Sequence, residues 1–390
     1  MKFEFATAGR ILFGPGTLRE LGTLSRVFGS RIAVLTGRDP NRHPAARESL
    51  AQAGLEIIPL AWTSRHSEPD VDFVMDLARR LRESGAQAVV GLGGGGVLDA
   101  AKAAAALATN PGDPSNYLEV VGRGQPLVYD PLPVIAVPTT AGTGSEVTRN
   151  SVLNVPHHRA KVSLRHPAML PRIALVDPEL TLSVPPDLTA ATGMDALTQC
   201  LEPLVCNRTQ PLGDALAWTG LKEAARSLRQ AVAQGRDQAA RESLSLAALC
   251  GGLALANAGL GVVHGIAGPL GGLYPGVPHG ALCAALLAPA MAANLAALRH
   301  RTPAHPALAR YQEIAVALTR FPGAPAEAGV DWVRQLAADL AIPNLVALGI
   351  DGRERTLILE KAQQASSMKA NPIPLTLPEL HQLLTEAGLP

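Results

Sequence analysis

The stretch AVVGLGGGGVLDAAK, residues 88–102, decides the fold class. Residues 88–92 form a short apolar run with β-branched members, glycines close it, and an alanine-rich helix is predicted from about Val97. A strand that stops at glycines and turns into a helix is the unit from which parallel sheets are assembled. The unit recurs along the first half. RIAVLT (31–36) reads as a buried strand, followed by a polar turn at 37–40 and a helix to about Ala53. LEIIPL (55–60) is a second strand, Pro69 and Asp70 open a helix to about Ser84, and LPVIAV (132–137) is a fourth strand after the run at 88–92. Shorter strand-like pieces lie at 147–155, 160–164 and 173–176. This alternation predicts an α/β domain with a doubly wound parallel sheet. From Pro185 strand signals cease and helical stretches continue almost to the end, so the expected division is an α/β domain at 1–184 and an all-α domain at 185–390.

Composition bounds the function. At 390 residues the chain can hold two sizeable cores. Its 34 basic and 33 acidic residues nearly cancel, which offers no cationic field for nucleic acid. Cys200, Cys206, Cys250 and Cys283 show no C-x-x-C spacing and read as buried thiols of a reducing, cytoplasmic compartment. The N-terminal MKFEFATAGR has no apolar h-region of a signal peptide.

Gly91 to Gly96, GLGGGG, fits G-x-G-x-x-G in the context that motif requires. Missing side chains let backbone approach a pyrophosphate, and the helix N-terminus favours its charge. A tight strand-to-helix turn is the alternative use of the same glycines. Asp99, in the first turn, either stabilises the helix terminus or hydrogen-bonds a ligand. Asp39, just beyond the first strand in TGRDP, can take ribose hydroxyls and disfavour a 2'-phosphate, while Arg38 beside it has the opposite tendency. PTTAGTGSE (138–146) follows a strand directly and supplies several hydroxyls and two glycines, as phosphate or nicotinamide recognition requires. Lys161, in RAKVSL, either faces the same region or is solvated.

Between Glu242 and Arg299 there is no Asp, Glu, Lys or Arg. Segments 244–263 and 281–298 approach the length of membrane spans, but their Asn, Pro and Gly content points to helices buried inside a protein domain. His264 and His279 lie within this run, and imidazoles directed into a dry interior need partners. Asp195 and Gln199, in GMDALTQCLE, are spaced i, i+4 and share a helix face. These four offer two oxygens and two nitrogens to a divalent cation, a set that suits Fe2+, Zn2+ or Mn2+ better than copper. Hydrogen-bonded interior histidines are the alternative.

Together these stretches resemble the iron-containing (group III) alcohol dehydrogenase family, of dehydroquinate-synthase-like fold, over essentially the whole chain. The family's glycine loop matches GGGGVLDAAK (93–102), its PTTAGTGSE loop is complete at 138–146, DPEL stands at 177–180, and GMDALTQ, VVHGIAGPLG and PHGALCA match its metal-binding stretches. The resemblance implies metal ligation by Asp195, His264 and His279, which act in catalysis through the metal, with Gln199 where a histidine is usual. It also implies NAD(P) binding by Asp39, Gly93, Gly94, Gly95, Asp99, Thr139, Thr140, Thr143 and Ser145. The implied activity is reversible hydride transfer between NAD(P)H and an aldehyde or ketone by a homodimer using Fe2+ or Zn2+, with no nucleic-acid or membrane partner. A further histidine frequent in the family is Gly268 here, which removes a proton-relay group and enlarges the pocket. The stretch LEVVGRGQPL is similar to the maleylacetate reductase branch, whose members do not always need a metal. A dinucleotide-binding protein without turnover is the third expectation.

Overall fold

The computed structural model describes residues 2–64 and 66–390. It divides into two compact units, Ala6–Ser183 and Val184–Pro390, with residues 2–5 joining the second.

The first unit is built on a parallel sheet. Its strands are β1 (Arg10–Phe13), β2 (Arg31–Thr36), β3 (Glu56–Leu60), β4 (Ala88–Gly93), β5 (Val134–Pro138) and, after a separate antiparallel hairpin of β6 (Asn150–Val155) and β7 (Ala160–Arg165), β8 (Ile173–Val176). The order across the sheet is β1-β8-β5-β4-β2-β3, every neighbour parallel. Helices α1 (Leu21–Arg26) and α2 (Pro44–Gln52) cover one face, and α3 (Val71–Ser84) and α4 (Gly95–Thr109) the other. Successive strand residues point to opposite faces. Val89 and Val134 therefore join the core under α3 and α4, while Ala88, Val90, Ile135 and Val137 join the core under α1 and α2. Burial on both faces is why these strands are continuously apolar rather than alternating.

Strand β1, not predicted above, is four residues long and exists only by pairing its edge with β8. Residues 145–147 form a short 3-10 turn, so the strand expected at 147–155 begins at Asn150. Helix α4 starts at Gly95, two residues before the expected Val97, so Gly95 and Gly96 lie in its first turn although glycine is a poor helix former.

The second unit is helical. It comprises α5 (Pro186–Val205), α6 (Pro211–Ala233), α7 (Gln238–Asn257), α8 (Val262–Leu273), α9 (His279–Arg301), α10 (Ala307–Thr319), α11 (Ala326–Asp339), α12 (Arg355–Gln364) and α13 (Leu377–Glu386). Helix α5 is its axis, packed by α6, α7 and α9 and buried almost continuously from Thr189 to Val205. Helices α7 and α9 are long and apolar enough to cross a bilayer, yet 72% and 78% of their apolar windows lie buried inside the protein. The absence of charge between 243 and 298 thus follows from burial among neighbouring helices.

Candidate metal and cofactor sites

In the α/β unit the order in which strands are added switches sides between β2 and β4, with β3 on one side and β4, β5 and β8 on the other, and open α/β sheets bind ligands beyond the carboxyl ends of the strands at such a point. Asp39 lies exposed just past the end of β2, its carboxylate accepting from the Asn41 N–H at 2.9 Å. The glycines end β4, and β5 delivers Thr139 beside them, its N–H donating to the Gly93 carbonyl at 2.9 Å.

The four glycines do different work. A Cβ on Gly95 would stand 2.6 Å from the Thr143 side chain, and one on Gly96 2.1 Å from the Ser67 carbonyl oxygen. Their smallness lets two loops press onto the first turn of α4. Gly94 caps the helix, and a Cβ there would come no closer than 3.4 Å, to the Thr140 hydroxyl. It is the one of the four whose Cβ would make only ordinary contact, since a Cβ on Gly93 would stand 2.6 Å from the Val97 side chain.

Asp99 is committed to the scaffold. One carboxylate oxygen accepts from the Ser145 hydroxyl at 2.5 Å, the other from the Val152 N–H at 2.9 Å, and the buried Lys102 ammonium lies 3.1 Å away. Lys102 also donates to the Ser145 carbonyl and the Thr148 hydroxyl, fixing the serine-threonine loop to α4. Burial lowers the Lys102 pKa against the pull of Asp99 and Glu146, and raises the buried Glu146 carboxyl to about 7. Lys161 pairs with Glu68 at 2.5 Å and is not solvated.

In the helical unit, α5 presents Asp195, Gln199 and Glu202 along one face. Helix α8 brings His264 in its first turn, and His279 opens α9. The approach of α9 to α5 depends on Gly280, where a Cβ would stand 2.2 Å from the Ala191 carbonyl oxygen. The result is a cluster of Asp195, His264, His279 and Cys283 whose ligand atoms all lie within 4.8 Å of one another. Asp195 Oδ1 is 3.3 Å from His264 Nε2 and 4.0 Å from His279 Nε2.

Glu202 and Cys283 are the residues that sequence reasoning missed. Glu202 accepts from the Val263 N–H at 2.8 Å and from His264 Nδ1 at 2.7 Å. A carboxylate on Nδ1–H leaves Nε2 as a lone-pair donor toward Asp195, the outer arrangement that metal-binding histidines use. Its spacing seven residues after Asp195 was visible; its partners were not. Cys283 lies one turn after His279, with Sγ 3.6 Å from His279 Nε2 and 3.8 Å from His264 Nε2.

The electrostatics suit a cation. Burial opposes charge on Asp195, yet His264 and His279 hold its carboxyl below the ordinary range. Burial would likewise lower His264, but Cys283, Asp195 and Glu202 raise its pKa well above the usual imidazole value. Burial pushes the Cys283 thiol up to about 11. Lone pairs converging on a dry point need a proton or a metal ion between them. Gln199, one turn from Asp195, has its Oε1 buried with no hydrogen-bond partner, a second sign that a cation fits here. Around Gly268 a Cβ would meet nothing within 4 Å.

Residues 8–178 match the family model described as iron-containing alcohol dehydrogenase, and residues 189–388 that of the C-terminal region of the same family. Alcohol dehydrogenase 4 of Schizosaccharomyces pombe is 33% identical over 380 residues, 96% of this chain and 87% of that protein. The 1,3-propanediol dehydrogenase of Citrobacter freundii is 32% identical, with 95% of each chain covered. The crystal structure of sulfoacetaldehyde reductase from Bifidobacterium kashiwanohense in complex with NAD+ superposes with a TM-score of 0.85 at 29% identity, covering 99% of this chain and 98% of that one.

Proposed function

This chain belongs to the iron-containing alcohol dehydrogenase family, and on that premise we propose that it interconverts alcohols with aldehydes or ketones using NAD(P)(H), through a divalent cation held by Asp195, His264 and His279. Alcohol oxidoreduction on a small-molecule alcohol or aldehyde is what family membership carries. The observation that supports the finer reading is the convergence of one carboxylate oxygen and two imidazole nitrogens, with the buried, unpartnered Gln199 oxygen carried one helical turn from Asp195.

A cation there supplies Lewis acidity toward a carbonyl oxygen, and the nicotinamide supplies or accepts the hydride. The protein's own residues do the rest. Glu202 holds the proton on His264 Nδ1 and so presents Nε2 inward. The helices from 243 to 298 bring no Asp, Glu, Lys or Arg near the cluster. Low local polarity strengthens every electrostatic interaction made there. Gly268 leaves open space where a side chain would have narrowed the substrate's surroundings. In the α/β unit, Gly94, Thr139, Thr140 and Thr143 offer backbone and hydroxyl donors for the pyrophosphate, with Asp99, Lys102 and Ser145 bracing that loop. Asp39 takes the ribose hydroxyls, which favours NAD+ over NADP+. Four free, buried thiols suit a reducing cytoplasm, and the enzyme works as a homodimer, a state that light scattering checks directly.

The test is metal analysis combined with oxidation of a panel of small alcohols by NAD+ or NADP+, before and after chelation. Activity that falls on chelation and returns with Zn2+ or Fe2+ is the expected result. Full activity in metal-free protein overturns the metal-dependent reading in favour of a maleylacetate-type reductase. Dinucleotide binding with no turnover of any alcohol or aldehyde leaves a binding protein instead.

A further inference from the structure

We propose that Cys283 is a metal ligand, completing with Asp195, His264 and His279 a four-donor O, N, N, S centre in which the sulfur favours zinc. This rests on the metal-dependent reading above and adds a ligand to it. Helix α9 supplies two of the donors, because His279 and Cys283 are spaced i, i+4 and lie on one face. Four of the six donor separations are near those that a tetrahedral centre needs. With bonds of about 2.0–2.2 Å to nitrogen and oxygen and about 2.3 Å to sulfur, tetrahedral edges come to roughly 3.3–3.6 Å. The chain shows 3.3 Å for Asp195–His264, 3.6 Å for Cys283–His279, 3.8 Å for Cys283–His264 and 4.0 Å for Asp195–His279. The remaining two edges also lie within 4.8 Å.

The other cysteines behave differently. Cys200 Sγ lies 3.6 Å from the Ala247 carbonyl oxygen, and Cys206 Sγ accepts from the Arg208 N–H. Among the described residues no other cysteine belongs to a group of potential metal-binding side chains. Gln199 offers only a neutral amide oxygen, a weaker and harder donor than a thiolate. A set containing thiolate shifts preference toward zinc relative to one of oxygen and nitrogen alone.

The folded full-length chain, stripped of metal and reloaded with Co2+, gives the direct test. A sulfur-to-cobalt charge-transfer absorption in the near ultraviolet is expected in the parent. It is lost in Cys283→Ala, kept in Cys250→Ala, and accompanied in Cys283→Ala by at least a tenfold fall in metal affinity. X-ray absorption of the zinc-loaded parent, which needs no variant to fold, should show one sulfur at about 2.3 Å. Cobalt bound with ligand-field bands but no charge-transfer band, or a zinc shell of nitrogen and oxygen only, overturns the Cys283 assignment and leaves the metal-dependent reading standing. Failure to bind either ion overturns both.

Discussion

Glu202→Gln changes one oxygen to an amide NH2 and leaves shape and volume nearly unchanged, so its effect isolates hydrogen-bond polarity. In the parent both carboxylate oxygens accept, one from the Val263 N–H at 2.8 Å and one from His264 Nδ1 at 2.7 Å, in a site where Glu202 is 4% exposed. Glutamine has one acceptor and one donor, so it cannot serve both. If its oxygen takes the Val263 N–H, the amide donates to Nδ1, moves the imidazole proton to Nε2, and blocks the metal-facing lone pair. If its oxygen takes Nδ1–H, the tautomer survives but the Val263 N–H is buried against a donor. Leaving one buried group unsatisfied costs about 1–3 kcal/mol, or roughly 5- to 150-fold in an equilibrium constant. The first orientation places that cost on metal affinity, in the range of about 10- to 100-fold seen for partners of metal-binding histidines. The second places it on folding stability. Metal affinity by chelator competition and unfolding of the metal-free chain by denaturant therefore form a pair of assays, at least one of which must move. Affinity within twofold of the parent together with stability within about 0.5 kcal/mol refutes the role given to Glu202.

Two further outcomes follow from burial at Glu146 and from open space at Gly268. Glu146 has its carboxyl raised from 4.5 to about 7 by burial, so between those values the folded chain keeps a proton that the unfolded chain releases. Stability should fall as pH rises through that window, by about 3 kcal/mol in all, and comparison of denaturant unfolding from pH 5 to 8 in the parent and Glu146→Gln should show this limb flattened; parallel pH profiles would sink the reasoning. Gly268 sits inside α8 at ordinary helical φ with open space where a Cβ would go, so Gly268→Ala should stabilise the chain by about 0.5–1 kcal/mol in thermal or denaturant unfolding, and a destabilised variant would mean that the space is not open.

Much of the fold was legible because its causes are local. Apolar runs closed by glycine specify strands that turn into helices, and β2 to β5 formed where those runs stand. Strand β1 was not legible, since RILF carries no strong signal until β8 lies beside it. The glycines of 93–96 looked like a ligand cradle; in the folded unit Gly95 and Gly96 accommodate neighbouring loops, Gly93 is closed off by the Val97 side chain, and Gly94 alone would take a Cβ without a close contact. Asp99 looked able to serve either a helix terminus or a ligand, and it holds Ser145 and Val152. Lys161 looked either solvated or site-facing, and it is paired with Glu68.

By itself the sequence determined the α/β-then-helical order, through periodicity, and the chemical inventory of the candidate centre, through two histidines in a charge-free run and an Asp-Gln pair at helical spacing. Spacing along one helix reaches only the next turn. Which donors meet across α5, α8 and α9 depends on how closely the helices approach, as at Gly280 against Ala191. That approach turned Cys283, read as an inert buried thiol, into a neighbour of both imidazoles, and made Glu202 the carboxylate that sets the His264 tautomer. Contacts between residues 62 or more positions apart, such as Glu202 with His264, have no local signal for a sequence to carry.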